Sequence, residues 1–204
     1  MLIYSNDHNA EEICERSLSE ALRYDPNSYD ALIQISNLRI LRKRDGEALT
    51  FMDKIYNAIL EYINHGDETS LPSQEILCNL SKNYSELLQY VKAIKILDII
   101  LKLSDEDLEC WYLLAFNHYT IKNYKYSMKC LKNFKRISDK QSFKTDEILD
   151  LEDAATELYQ AIENIRKNTQ DGELKNNNIE ESEEKDNEEE RILDNSNADM
   201  NVDY

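Results

Sequence analysis

Glycine and proline are nearly missing from this 204-residue chain: Gly46, Gly66, Gly172, Pro26 and Pro72 are the whole supply. A sheet protein turns every few residues and relies on those residues to do it. Their scarcity excludes a strand-rich fold and predicts long helices joined by short polar turns. Three scattered glycines also exclude a phosphate-cradling loop of the GxxxxGK or GxGxxG kind. Histidine is almost as rare. His8, His65 and His118 form no HExxH motif, and His118 is expected to be packed or half-buried in mid-helix. The cysteines Cys14, Cys78, Cys110 and Cys130 form no CxxC and show no zinc-ligand spacing. They fall at helical packing positions, where a free thiol acts as a small hydrophobe, and Cys14 and Cys130 are expected to fill the core. No disulfide framework is expected and no signal peptide opens the chain, which predicts a reducing compartment, cytoplasm or nucleus. No apolar run approaches the roughly 20 residues that cross a bilayer. No membrane, metal, cofactor or catalytic set is therefore expected, and the chain reads as a non-enzyme.

What is abundant is negative charge. The net charge is −17. Residues 171–204 hold thirteen Asp/Glu against three Lys/Arg, and the other 170 residues hold 28 against 21. An acidic body is the wrong sign for phosphate backbones, so no direct nucleic-acid binding is expected. It suits a basic protein client instead. The end of the chain, with Asn176-Asn177-Asn178 and the glutamate runs Glu180-Glu181, Glu183-Glu184 and Glu188-Glu189-Glu190, has few large apolar residues. It is expected to be a disordered acidic tail over 169–204, serving either to solubilise the chain or to mimic a polyanion that shields a basic client.

The body is periodic. Leu77, Leu80, Ser81, Tyr90, Ala93 and Leu97 repeat 34 residues later as Trp111, Leu114, Ala115, Tyr124, Ser127 and Leu131. At the front, Ala48 and Met52 repeat Cys14 and Leu18 at the same spacing. The two registers differ by one period plus eleven residues, and the loop-like run from Asn64 to Pro72 accommodates the surplus. Ser36, Ser81, Ala115, Ala48, Ala93 and Ser127 are small, which lets paired helices approach closely. One such hairpin cannot bury its apolar face alone, so neighbours must stack.

The period, these small residues and the run Tyr24-Asp25-Pro26-Asn27 resemble the tetratricopeptide-repeat (TPR) family. The expected fold is all-α: a TPR-type helical-hairpin solenoid, a right-handed superhelix, over 1–168. Its parts are a partial unit 1–27, units 29–62, 74–107 and 108–141, a loop insert at about 62–72 and a capping helix at about 145–168. Helices are expected over 10–23, 28–43, 46–63, 73–88, 90–103, 107–121 and 124–137. The capping helix is read from Ile148, Leu151, Ala155, Leu158, Ile162 and Ile165, which mark one apolar face.

Positions on the first helix of each unit are expected to line a client-binding groove. They are Asp30, Ile33, Asn37 and Ile40, then Glu75, Cys78, Lys82 and Ser85, then Glu109, Tyr112, Phe116 and Tyr119. Carboxylates beside aromatics suit arginine and lysine side chains. Tyr112 and Tyr119 packing beneath the capping helix is the alternative. The TPR clamp that grips the C-terminus of heat-shock chaperones places cations where this chain has Ile33, Glu109 and Leu113. Asn37 and Asn79 match it, but without those charges no such clamp is expected. The basic cluster Arg39, Arg42, Lys43, Arg44 suits a helix C-terminus. A nuclear-import signal is a second reading.

Two segments go beyond a generic TPR unit: Ala10-Glu11-Glu12-Ile13-Cys14 through Asn37-Leu38-Arg39-Ile40, and Leu108 to Phe116 around Trp111-Tyr112-Leu113. They resemble the assembly chaperones of the large-subunit ribosomal protein L-four, although Ala115 and Phe116 stand where that family usually has glycine and tryptophan. The resemblance implies a non-enzymatic, client-specific chaperone. It would hold a basic segment of newly made L-four, move with it from cytoplasm to nucleus and support large-subunit assembly. A generic TPR scaffold in a larger complex is the alternative function. Members of that family carry further repeats at the N-terminus, so either the groove is shorter here or the sequence is incomplete.

Overall fold

A computed structural model describes residues 4–141 and 143–173. Among them are eight α-helices, one 3-10 turn and no strand. In chain order they are α1 (Tyr4–Tyr24), α2 (Tyr29–Leu41), α3 (Asp45–Asn64), the 3-10 turn (Glu68–Ser70), α4 (Gln74–Glu86), α5 (Tyr90–Leu103), α6 (Leu108–Thr120), α7 (Tyr124–Ser138) and α8 (Asp146–Glu173). The chain divides into two compact units, 1–163 and 164–204. Of the second, only the end of α8 is described.

The 34-residue period reappears in the backbone. Ser28, Ser73 and Asp107 are the N-caps of α2, α4 and α6, and each side chain accepts a hydrogen bond from the N–H three residues on. Each cap satisfies a donor that the first helical turn would leave unpaired. The turns closing the hairpins correspond just as closely. Lys43, Leu88 and Lys122 have φ of 56°, 60° and 64°, a left-handed conformation normally given to glycine. After each, an N–H folds back on the preceding helix: Arg44 to Arg39, Gln89 to Tyr84 and Asn123 to His118. This is the Schellman closure, reached here without glycine. Glycine makes the same closure once, after α3. Gly66 has φ 69°, and the N–H groups of Gly66 and Asp67 bond to Ile63 and Tyr62.

These turns pair α2 with α3, α4 with α5 and α6 with α7, while α5 packs on α6 to stack consecutive units. Ser36, Ala48, Ser81, Ala93, Ala115 and Ser127 are all buried. Ser127 Oγ uses the close approach to donate to the Ala115 carbonyl at 2.7 Å. Leu32, Leu77, Met52, Ile96 and Leu97 fill the space between. Ala155, Leu158 and Ile162 of α8 join the same core, with Ile148 and Leu151 packed against it. Near the start of α8, Glu152 accepts from both Ser138 and Lys144, pinning it to the end of α7.

Three differences from the sequence reading have physical causes. Helix α1 begins at Tyr4 rather than 10, because helix-compatible residues continue upstream of the apolar pattern. Helix α8 continues to Glu173, so residues 169–173, assigned to the tail, are helical. The apolar stripe marks where packing ends, and without proline the helix runs on past it. The rest of the expected tail lies outside the described residues. Finally, Cys14 is exposed rather than a core filler: α1 meets the other helices through α2, and Cys14 lies off that seam. Cys130 is buried, as expected of a small hydrophobe.

Candidate functional site

The first helices of the three units, α2, α4 and α6, touch one another in sequence. Polar rungs cross the seams between them. Asn83 Nδ2 donates to Asn37 Oδ1 at 2.6 Å between α4 and α2. Between α4 and α6, Gln74 Nε2 donates to Asp107 Oδ2 at 3.0 Å and Cys78 Sγ lies 3.7 Å from Cys110 Sγ. Further along, Lys82 Nζ pairs with Glu109 Oε1 at 2.7 Å and Ser85 Oγ donates to Asn117 Oδ1 at 2.9 Å. Asn117 is fully buried, so the last rung satisfies a polar group that water cannot reach.

Most of the expected groove residues lie at the surface of this layer. Asp30, Glu75 and Glu109 are exposed; Asn37, Lys82, Tyr112 and Tyr119 are half-buried. Phe116 is 38% exposed, a large apolar side chain facing solvent. Tyr119 packs its ring on Tyr124, 5.7 Å between centroids. Burial raises the Tyr112 phenol above its ordinary value, and the Glu157 carboxylate on α8 adds to the effect. Tyr112 and Tyr119 pack against the same core cluster that Ala155, Leu158 and Ile162 of α8 join.

Ile33 is a correction: it is 1% exposed and cannot line a groove. Helix α2 is enclosed by α1, α3 and α4, so side chains on most of its circumference are buried, Ile40 included. Glu109 and Lys82 were read separately, yet they form one ion pair. Leu113 and Asn79, read at clamp positions, are both half-buried.

The cationic cluster at the end of α2 has specific partners. Arg39 lies between Glu15 at 2.5 Å and Glu47 at 3.1 Å. Arg42 pairs with Glu15 and Glu11, and Arg44 with Glu47. Together they tie α1 and the start of α3 to α2. The Arg39 hydrogen bond, first among its interactions, holds the Glu15 carboxyl below its ordinary value.

Sequence reasoning missed two arrangements. One is a network on α3, α4 and α5. The buried Tyr84 donates its hydroxyl to Asp53 Oδ1 at 2.7 Å, and Lys92 Nζ reaches the same oxygen at 2.6 Å. Lys92 also lies 5.4 Å from the Tyr84 ring centre and 5.7 Å from that of Tyr56. The other is the thiol pair. The Cys78 thiol is lowered by its hydrogen bond with Cys110, whereas the same contact and burial raise Cys110. The two residues lie 32 apart in sequence, one period less two, an offset visible only once the helices stack. His118 is half-buried as expected. Its ring stacks on Tyr126 at 5.5 Å, and burial lowers its pKa.

Stacked helical hairpins in a 34-residue register, closed by an apolar-striped helix, define a TPR-type helical solenoid. The solved structures that resemble it agree on that fold. MamA 41-end from Desulfovibrio magneticus RS-1 superposes with a TM-score of 0.51 and 14% identity, covering 68% of this chain and 72% of that one. A crystal structure of MamA gives 0.51 and 14%, covering 84% and 98%. No protein-family model matches the chain. In sequence it is similar to proteins described as probable assembly chaperones of rpl4. The one from Schizosaccharomyces pombe is 28% identical over 111 residues, 54% of this chain and 33% of that protein. The one from Emericella nidulans is 23% identical over 111 residues, 54% of this chain and 28% of that protein. The chain thus spans a third or less of the length of these curated relatives.

Proposed function

We propose that this chain is a client-holding chaperone. It binds a basic, extended segment of a newly made ribosomal protein of the L-four type and supports assembly of the large ribosomal subunit. The carrying observation is the similarity over 111 residues to two proteins described as probable assembly chaperones of rpl4. The layer of first helices supports the reading, because α2 and α4 carry the exposed carboxylates of Asp30 and Glu75 and α6 carries the exposed aromatic Phe116. Carboxylates attract arginine and lysine, and an aromatic face adds cation–π contact. The net charge of −17 adds long-range attraction for such a segment. In this reading the protein works by holding rather than by catalysis. It meets its client in the cytoplasm and accompanies it to the nucleus.

The test measures binding of the purified chain to the isolated basic loop of L-four by fluorescence anisotropy across a salt series. Binding should weaken steeply with salt, and Glu75→Lys and Phe116→Ala should each weaken it several-fold while helicity stays unchanged. Affinity purification with mass spectrometry provides an independent check. If no ribosomal protein is enriched over background, the reading fails. Salt-insensitive binding to a folded partner would identify a generic scaffold instead.

A further inference from the structure

We propose that Cys78, Cys110 and Asp107 form a binding site for a thiophilic divalent cation of the zinc type, bridging α4 and α6. One donor atom from each of the three residues lies within 4.8 Å of the other two. The thiols come from different helices and meet at 3.7 Å between sulfurs. A disulfide would require them to close to about 2.05 Å. Two thiolates on a tetrahedral zinc, with Zn–S of about 2.3 Å, stand about 3.8 Å apart. The thiols therefore meet as a hydrogen-bonded pair whose 3.7 Å separation is already the spacing that two thiolates on zinc require, and not that of a disulfide.

Asp107 supplies the third donor, and its position is fixed. Its Oδ1 accepts from the Cys110 N–H at 3.0 Å, and its Oδ2 accepts from Gln74 at 3.0 Å. Each carboxylate oxygen has a further lone pair, so these bonds orient the group without exhausting it. A donor held in this way by neighbouring polar groups is the usual support for a metal ligand. Cys110 is buried, whereas Cys78 and Asp107 are half-exposed. The half-exposed side gives a cation an entry path and lets water complete the tetrahedron. The nearby Lys82 cation is neutralised by Glu109. Thiolates favour zinc over magnesium or calcium, which prefer all-oxygen shells. A bound cation would fasten the first helices of two consecutive units together.

This proposal does not rest on the client-holding reading and can be tested without a client. The whole chain, metal-free and kept reduced by a phosphine, is titrated with cobalt(II) as a spectroscopic probe for zinc. The expected result is a sulfur-to-cobalt charge-transfer band that saturates at one equivalent and is displaced by zinc. Cys78→Ser and Cys110→Ser should abolish the band, and Cys130→Ser should retain it. Asp107→Asn keeps a competent helix cap and should weaken binding by about tenfold or more. Zinc should raise the Tm of the native chain and leave that of Cys78→Ser unchanged. If Cys110→Ser loses helicity, Cys78→Ser at the half-exposed position decides the matter alone. A reduced protein that takes up no cobalt, or a band that survives Cys78→Ser, overturns the proposal. An unweakened Asp107→Asn variant overturns the assignment of the third ligand.

Discussion

Lys82 on α4 and Glu109 on α6 neutralise each other across the seam of neighbouring units, Nζ to Oε1 at 2.7 Å. Both side chains keep more than a third of their surface in water, so the pair adds little to stability. Its larger consequence is for binding, because it offsets a carboxylate that a basic client would otherwise meet. Lys82→Ala should tighten binding of an arginine-rich peptide, by about two- to fivefold at low salt. Glu109→Lys should loosen it more than that, since it places two cations side by side. Anisotropy titrations with the same peptide check both, and a Lys82→Ala variant that binds more weakly would mean that this seam does not face the client.

The Tyr84–Asp53–Lys92 network should show a defined order of costs. Tyr84→Phe removes one hydrogen bond but leaves Asp53 paired with Lys92, at about 1 kcal/mol. Asp53→Ala strips the acceptor from a fully buried phenol and the partner from Lys92, at about 2–3 kcal/mol. Urea denaturation followed by circular dichroism measures both. Equal midpoints for the two variants would contradict the network.

Leu88 occupies the left-handed region at φ 60°, with its side chain exposed. That conformation costs a non-glycine residue about 1–2 kcal/mol. Leu88→Gly removes the cost but adds chain entropy to the unfolded state. The net expectation is a gain of about 0.5–1 kcal/mol, and the same at Lys122. A fall in the denaturation midpoint at both positions would refute the account of the turns.

His118 predicts a pH dependence of definite sign. Burial holds its imidazole below the ordinary 6.5, so below that pH the unfolded chain takes up a proton that the folded chain resists. Its contribution is complete at alkaline pH and is lost as pH falls through 6.5. Glu15 and Glu152, both held below the ordinary 4.5, lose their contributions only at lower pH. The Asp98 carboxyl, pushed up to about 6 by desolvation, changes charge in the same range with the opposite sign. The histidine part is therefore read as the difference between the native chain and His118→Gln in thermal denaturation from about pH 7.5 to 5.5. The native chain should lose more stability than His118→Gln as pH falls across that range.

The solenoid was legible in the sequence because a 34-residue period constrains many positions at once. Ser36, Ser81 and Ala115 could be read together, and all three are buried. Groove residues were harder, because each depends on how many neighbours its own helix has. Ile33 occupies a groove position in the register, yet α2 is enclosed by α1, α3 and α4. The rungs were invisible for a different reason. Cys78 and Cys110 hold different positions within their units, so comparing like with like never pairs them. Stacking pairs residues at an offset of 32 or 33, as Gln74–Asp107 and Ser85–Asn117 show. Searching at that offset once the period was known would have found all three.

The hairpin closures at Lys43, Leu88 and Lys122 join helices that are immediate neighbours in sequence. Most native contacts therefore form over short loops, the condition under which chains fold quickly. Each unit is complete soon after its second helix has been made and needs only the unit before it as a template. A protein assembled in this order can become structured from its front while its rear is still being synthesised.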